Sequence, residues 1–232
     1  MIRNIINRIK KSSELNSGIV SHSQCGEDLI INYIFTLRGV VRPSYIDIGA
    51  NHPYGLSNTA FFYKKGSRGI NIEPNPDLIK LFHKYRRKDI NLNVGIGNRD
   101  AVLEFYVFED NTLSTFSEEE HLNLIKAGKR LKGKIQVEVV MINRIIEKYC
   151  NNRFPDLLCV DVEGWDFEII KTIDFTYTSP KVVCVEAAEY SPIGAGERRT
   201  DLINYIESKG YYEYANTNLN SILVRKDFWY NV

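Results

Sequence analysis

The sequence predicts an α/β fold: a mostly parallel sheet, an antiparallel final strand and an inserted hairpin. Three observations carry that prediction. Short apolar runs alternate with amphipathic ones, as strands and helices do when a parallel sheet is covered on both faces. The run Tyr45-Ile46-Asp47-Ile48 leads directly into Gly49-Ala50-Asn51, and the run Gly69-Ile70-Asn71-Ile72 ends on a lone acid, Glu73. In such folds the turn after the first strand carries a ligand, and the acid closing the second strand meets a ribose.

The elements follow in order. Residues 1–20 begin with a basic amphipathic stretch, with Ile2, Ile5, Ile6 and Ile9 set among Arg3, Arg8, Lys10 and Lys11, and predict a helix. It lacks the apolar core of a signal peptide, and no other stretch could span a bilayer. The helix is expected to pack on its own domain or to touch a membrane surface or a partner. Residues 21–28 form a polar loop feeding a helix over 29–37. The first strand, 45–48, is followed by a helix opening over 57–63, and the second strand, 69–72, by a helix over 76–85. The third strand spans 90–94, with Gly95-Ile96-Gly97 as the turn after it.

Residues 101–108 then interrupt the rhythm. They alternate as a strand after a Gly97-Asn98-Arg99-Asp100 turn, which predicts a hairpin-like addition. Residues 110–133 are polar and read as a loop with a mobile helix, a lid over the site. A strand over 135–140 and a helix over 142–149 complete an insertion of about residues 101–140. The regular pattern resumes with strand 157–160, helix 167–173, strand 181–186 and helix 201–209. Residues 211–215 and 221–225 close the chain as an antiparallel pair, so residues 21–232 are expected to be one domain.

Composition narrows the function. The 232 residues can bury a substantial core, and 44% hydrophobic with 25% charged residues is ordinary for a globular protein. A net charge of +1 gives no general attraction to nucleic acid. The basic run Lys84-Tyr85-Arg86-Arg87-Lys88 reads as a solvated helix end, with cations near the negative pole of the helix. Cys25, Cys150, Cys159 and Cys184 lie far apart with no metal-ligand spacing, a reduced cytoplasmic pattern.

The ligand is read from what the first turn lacks. A dinucleotide fingerprint requires a second glycine where this chain has Asn51, so the backbone cannot approach a pyrophosphate there. An adenosine ligand without a pyrophosphate fits instead, and S-adenosyl-L-methionine is the candidate. Asp47 would favour its cationic portion. Gly49 would let the backbone pass its methionine end, Asn51 in the same turn is an expected cofactor contact, and Glu73 would accept both ribose hydroxyls. Gly95 and Ile96 would face the adenine, and the backbone N–H of Ser57 would receive the carboxylate at a helix start.

Asp161, Glu163 and Glu186 should face the same cleft. Crowded carboxylates call for something positive to hold them: Mg²⁺ or another divalent ion, a basic side chain, or the substrate. Methyl transfer to a hydroxyl requires a base or a metal, so these acids are the candidate catalytic groups, with His52 as an alternative base. In a purely structural reading, Asp161 caps the following helix and Glu163 sits near its positive end.

These motifs resemble the FkbM family of S-adenosylmethionine-dependent methyltransferases. The matching pieces are Ser23-Gln24-Cys25-Gly26-Glu27-Asp28, Asp47-Ile48-Gly49-Ala50-Asn51 with Ser57-Asn58-Thr59, Gly69 through Pro76, Ser114-Thr115-Phe116, and Leu157 through Gly164. The resemblance implies a class I Rossmann-like methyltransferase fold and O-methylation of a sugar or polyketide-type hydroxyl. It also adds Gln24 and Pro74 to the expected cofactor contacts. His52-Pro53-Tyr54 and Trp165-Asp166 depart from the family pattern, which bears on the acceptor rather than the cofactor.

The leading expectation is a carbohydrate or sugar-linked acceptor, such as a surface-glycan precursor, handled in the cytoplasm without nucleic acid and by a chain free to form a homo-oligomer. A phosphate-type or carboxylate acceptor is the alternative, with Arg198 and Arg199 supplying cations. A non-catalytic binding module and a nicotinamide-dependent enzyme are the other classes considered. The cleft carboxylates argue against the first, and Asn51 against the second.

Overall fold

The computed structural model describes residues 18–162, 164–176, 178–188 and 196–231. The helix expected over residues 1–20 falls outside them, except for Gly18, Ile19 and Val20, which belong to no regular element.

After α1 (Glu27–Leu37) come β1 (Tyr45–Ile48), α2 (Ala60–Lys64), β2 (Gly69–Ile72), α3 (Pro76–Tyr85) and β3 (Ile90–Leu92). The insertion comprises β4 (Gly95–Gly97), β5 (Ala101–Phe108), α4 (Glu118–Lys126) and β6 (Leu131–Met141). Next are α5 (Ile142–Cys150), β7 (Leu157–Val160), α6 (Asp166–Lys171), β8 (Val182–Glu186) and α7 (Thr200–Ser208). The chain closes with β9 (Tyr211–Asn216), β10 (Asn220–Arg225) and α8 (Lys226–Tyr230).

Seven strands form the main sheet in the order β3-β2-β1-β7-β8-β10-β9. All neighbours are parallel except β10, which runs against both β8 and β9. This is the class I Rossmann-like methyltransferase arrangement that the sequence resemblance implied.

The two-residue period of a strand divides the core. Ile46, Ile48, Leu158, Val160, Val183 and Val185 pack with Ile142, Ile145 and Ile146 of α5, Ile169 and Ile170 of α6, and Leu202, Ile203 and Ile206 of α7. Their strand neighbours Tyr45, Leu157, Cys159, Val182 and Cys184 pack on the other face, with Ile31, Ile34 and Phe35 of α1 and Phe61 and Phe62 of α2. With both faces covered, β1 and β7 are buried at every position rather than alternately. Cys159 and Cys184 are paired across β7 and β8, buried and free.

Several sequence expectations shift. Gly95-Ile96-Gly97 is not a turn but strand β4, parallel to β6 in a second sheet of order β4-β6-β5. The helix expected to open at Ser57 starts at Ala60 because the Ser57 N–H donates to the His22 carbonyl (2.8 Å). The Ser57 hydroxyl accepts from the Ala60 N–H (3.2 Å). Within residues 110–133, α4 starts where the Ser117 hydroxyl accepts the Glu120 N–H, an N-cap bond.

The basic run is only partly solvated. Arg87 and Lys88 are exposed, but Arg86 is among the largest fully buried side chains. Its guanidinium donates to Asp89 (3.0 Å), the Thr59 hydroxyl (2.9 Å) and the Tyr45 hydroxyl (2.8 Å). Charge alone suggests the surface; a fixed set of acceptors beneath β1 holds the side chain inside.

Candidate active site

The strand order reverses between β1 and β7, and at that point an α/β sheet opens a crevice beyond its carboxyl ends. A cavity of about 370 Å³ lies there, within the range of small-molecule sites. Backbone bonds carry the sheet past its strand ends into the cavity wall. The N–H groups of Gly49 and Ala50 donate to Ile72 O, that of Glu73 to Leu92 O, and that of Asp161 to Ile48 O.

Nine sequence-selected residues line this cavity: Gln24, Gly49, Asn51, Glu73, Pro74, Gly95, Ile96, Asp161 and Glu186. Glu73 is buried, with one carboxylate oxygen accepting the Asn51 N–H (2.8 Å) and the other the Asn75 N–H (2.7 Å). Burial pushes its carboxyl up to about 7 against those two hydrogen bonds, with Asp47 and Asp161 adding repulsion. Gly49 has φ +76°, a backbone conformation that favours glycine, and turns the chain beneath Asp161.

Asp161 is exposed through its opening into the cavity, although its carboxyl sits deep among protein atoms. Its depth, then repulsion from Asp166 and Asp47, push the carboxyl above the usual range, while Arg199 opposes the rise. Water reaching it through the open cavity moderates that effect. Asp166, which is fully buried, shapes the loop holding Asp161. It accepts the Val162 N–H (3.2 Å) and pairs with Arg199 (3.1 Å).

Three selected residues stand outside the cavity. Asp47 points to the opposite face of β1, where it is buried and accepts the Thr59 hydroxyl (2.5 Å) within the Arg86 network. One position along a strand reverses a side chain, which puts Ile48 rather than Asp47 on the wall. The Ser57 N–H is already bound to His22, so it has no bond to offer a carboxylate. His52 is exposed, and its Nδ1 accepts the N–H groups of Gly55 (2.9 Å) and Tyr54 (3.2 Å), which makes it a turn cap. Glu163 lies outside the described residues. Among those described, no group of three or more His, Cys, Asp or Glu could hold a metal ion.

The cavity also contains residues outside the expected catalytic and cofactor set. The insertion contributes Asn111, Thr112, Leu113, Ser114, Phe105 and Phe116. Phe116 stacks on Trp165 (5.6 Å between centroids, 26° between planes), so the insertion leans on the acidic loop. Gly95 makes room for it: a β-carbon there would meet Phe116 Cζ at 2.6 Å. Leu219 and Asn220 come from the terminal hairpin. The lid reading of residues 110–133 and the Ser114-Thr115-Phe116 match signalled the insertion's part, and nothing in the spacing marked Asn220.

Loop 21–28 is built by its own acids. Asp28 accepts from the hydroxyls of Ser21 (2.7 Å) and Ser23 (3.0 Å) and from the His22 N–H (2.7 Å), and Glu27 accepts the Cys25 N–H (2.8 Å). These bonds hold Gln24 at the cavity rim.

The family description that matches the chain is the methyltransferase FkbM domain, over residues 47–212. No curated protein matches. Among solved structures, the chain is similar to a Staphylococcus aureus protein described as a caffeoyl-CoA O-methyltransferase, at 14% identity over 95% of this chain and 91% of that one, with a TM-score of 0.46. A Klebsiella pneumoniae protein described as an O-methyltransferase shares 11% identity over 95% and 90%, with a TM-score of 0.42. A Pyrococcus horikoshii protein described as an RNA methyltransferase shares 11% over 87% and 83%, with a TM-score of 0.40.

Proposed function

This chain belongs to the FkbM methyltransferase family and is an S-adenosylmethionine-dependent methyltransferase; from that premise we propose that it methylates a hydroxyl of a carbohydrate or sugar-linked small molecule, such as a surface-glycan precursor. Residues 21–232 act as one catalytic unit, with residues 101–140 as its insertion.

The observation that carries the reading is Glu73 at the cavity wall. Each of its oxygens accepts one backbone N–H, and an ionised carboxylate oxygen has a second lone pair. That leaves one acceptor position per oxygen, which suits the two hydroxyls of a ribose. Gly95 and Ile96 offer an apolar floor for the adenine, with Pro74, Leu113 and Phe116 nearby. The bound cofactor supplies an electrophilic methyl group. The chain's part is to hold the acceptor hydroxyl in line and take its proton, and Asp161 is the assigned base.

Two observations weigh against an anionic acceptor. Arg199 is paired with Asp166 and Arg198 with Glu213 (2.5 Å), so both expected cations are engaged. The cavity wall instead carries the carboxylates of Glu73, Asp161 and Glu186.

Calorimetric titration with S-adenosylmethionine, S-adenosylhomocysteine and NAD, with and without Mg²⁺, tests the cofactor. Micromolar binding of both adenosyl ligands and none of NAD is expected. Labelled methyl transfer is then assayed on neutral glycosides, sugar phosphates and uronates. Methylation at a phosphate or carboxylate oxygen rather than at a hydroxyl would overturn the hydroxyl assignment. Turnover abolished by a chelator and restored by Mg²⁺ would move Asp161, Glu163 and Glu186 to a metal role.

A further inference from the structure

Asn220 opens β10 directly opposite Glu186, the last residue of β8. Both line the cavity, on the side of the switch point away from Gly49 and Glu73. Directly opposed residues in an antiparallel pair project to the same face, with β-carbons about 5 Å apart. Asn220 is only 6% exposed. A buried amide has two donors and an acceptor to satisfy, so its orientation follows from its partners.

One partner decides that orientation. The amide nitrogen of Asn220 donates to Glu27 Oε1 (3.0 Å), and Glu27 also accepts from the Thr217 hydroxyl (2.8 Å) and the Cys25 N–H (2.8 Å). Burial raises the Glu27 carboxyl, but the bonds from Asn220, Cys25 and Thr217 outweigh it and leave the group lowered, hence ionised. An ionised carboxylate only accepts, so the amide must turn its nitrogen toward Glu27 and its oxygen away. Among the described residues that oxygen has no hydrogen-bond partner, and it is not sealed from the cavity.

We infer that Asn220 Oδ1 is an acceptor-recognition group: held outward by Glu27 and set beside Glu186, it takes a hydrogen bond from a hydroxyl of a neutral polyhydric substrate. The inference rests on the methyltransferase reading of this cavity and deepens it. An amide oxygen is an acceptor only. A hydroxyl group can donate to it, whereas a phosphate or carboxylate oxygen placed there would meet another acceptor. Glu27 is a positioning residue: it touches no substrate and acts by fixing the amide.

The test uses the full-length protein loaded with S-adenosylhomocysteine, and methyl hexopyranosides as probes. Binding is read by saturation-transfer NMR and cofactor affinity by calorimetry. In Asn220→Ala, glycoside binding should weaken about tenfold through loss of one hydrogen bond, with S-adenosylhomocysteine affinity unchanged. Asn220→Leu, which keeps the side-chain volume, should behave alike and guards against a folding artefact. Glu27→Gln, which lets the amide turn over, should weaken glycosides by a smaller factor with the same unchanged cofactor affinity.

Glycoside binding to the unaltered protein that both Asn220 variants retain would overturn the inference alone. A matching loss of S-adenosylhomocysteine affinity would move Asn220 to the cofactor and overturn it too. No glycoside binding by the unaltered protein, with the cofactor still bound, would overturn both the inference and the carbohydrate reading. Stronger binding of hexose phosphates than of neutral glycosides would reject the acceptor-only wall.

Discussion

A β-carbon on Gly49 would stand 1.7 Å from the carbonyl oxygen of Asp161. The turn after β1 therefore lies directly against the end of β7, and the glycine motif and the acidic motif meet as one piece of backbone. Gly49 also has φ +76°, so a side chain there is strained on two counts. Gly49→Ala is expected to cost at least about 2 kcal/mol, or roughly 4–8 °C in Tm, and to abolish cofactor binding. A thermal melt with calorimetry checks it; an unchanged melt would refute the close approach.

Gly95→Ala should behave differently. Its β-carbon would meet Phe116 Cζ at 2.6 Å, at the far end of a side chain that can move. The melt should shift by only a few degrees, about 1 kcal/mol, while the displaced ring weakens binding of S-adenosylhomocysteine. Equal affinity in variant and parent would remove Phe116 from the cofactor wall.

Glu73 predicts a pH signature. Its folded carboxyl is raised to about 7 from an ordinary value of 4.5. Between those values the folded state holds a proton that the unfolded chain has released. This group's contribution to apoprotein stability is therefore full below 4.5 and lost as pH rises through 7. The ribose role proposed for Glu73 uses the ionised form, so S-adenosylmethionine affinity should fall about tenfold per pH unit below 7. Asp47 and Asp161 share the neighbourhood, so Glu73→Gln is the control. It should weaken binding and flatten the profile.

Arg86→Met leaves Asp89 and Asp47 in a buried site without their cation. The expected cost is about 3–5 kcal/mol, or about 6–20 °C in Tm. Arg87→Ala and Lys88→Ala, in the same basic run but exposed, should each stay within about 0.5 kcal/mol. Equal melts for all three variants would contradict the buried network.

The two candidate bases separate kinetically. Asp161→Asn should lower kcat by about 10²- to 10⁴-fold, the usual value of a positioned base, with S-adenosylhomocysteine still bound. His52→Ala removes a cap from an exposed turn and should leave kcat within about threefold. The reverse pattern would return the histidine to the chemistry.

Periodicity made the framework legible. The exact bounds of β1, β2, α3, β5 and β7 were readable because strands are short, mostly apolar runs and helices repeat on one face. The switch-point residues Gly49, Asn51, Glu73 and Asp161 followed, since a parallel sheet brings its strand ends to one edge. The strand identity of Gly95–Gly97 was not legible, because three residues between two glycines become a strand only when β6 supplies a partner.

The chain's own order of residues thus determined the strands of the main sheet, the end of them at which the cavity opens, and which family the protein belongs to. Tertiary structure alone decided how single side chains are spent. Asp47 and Arg86 went to a buried network, His52 and Ser57 went to backbone caps, and Asn220 came to the cavity beside Glu186. Those outcomes depend on partners far away in sequence, such as Glu27 for Asn220 and Tyr45 for Arg86. A hydrogen bond needs both of its ends, and spacing along a chain discloses only one.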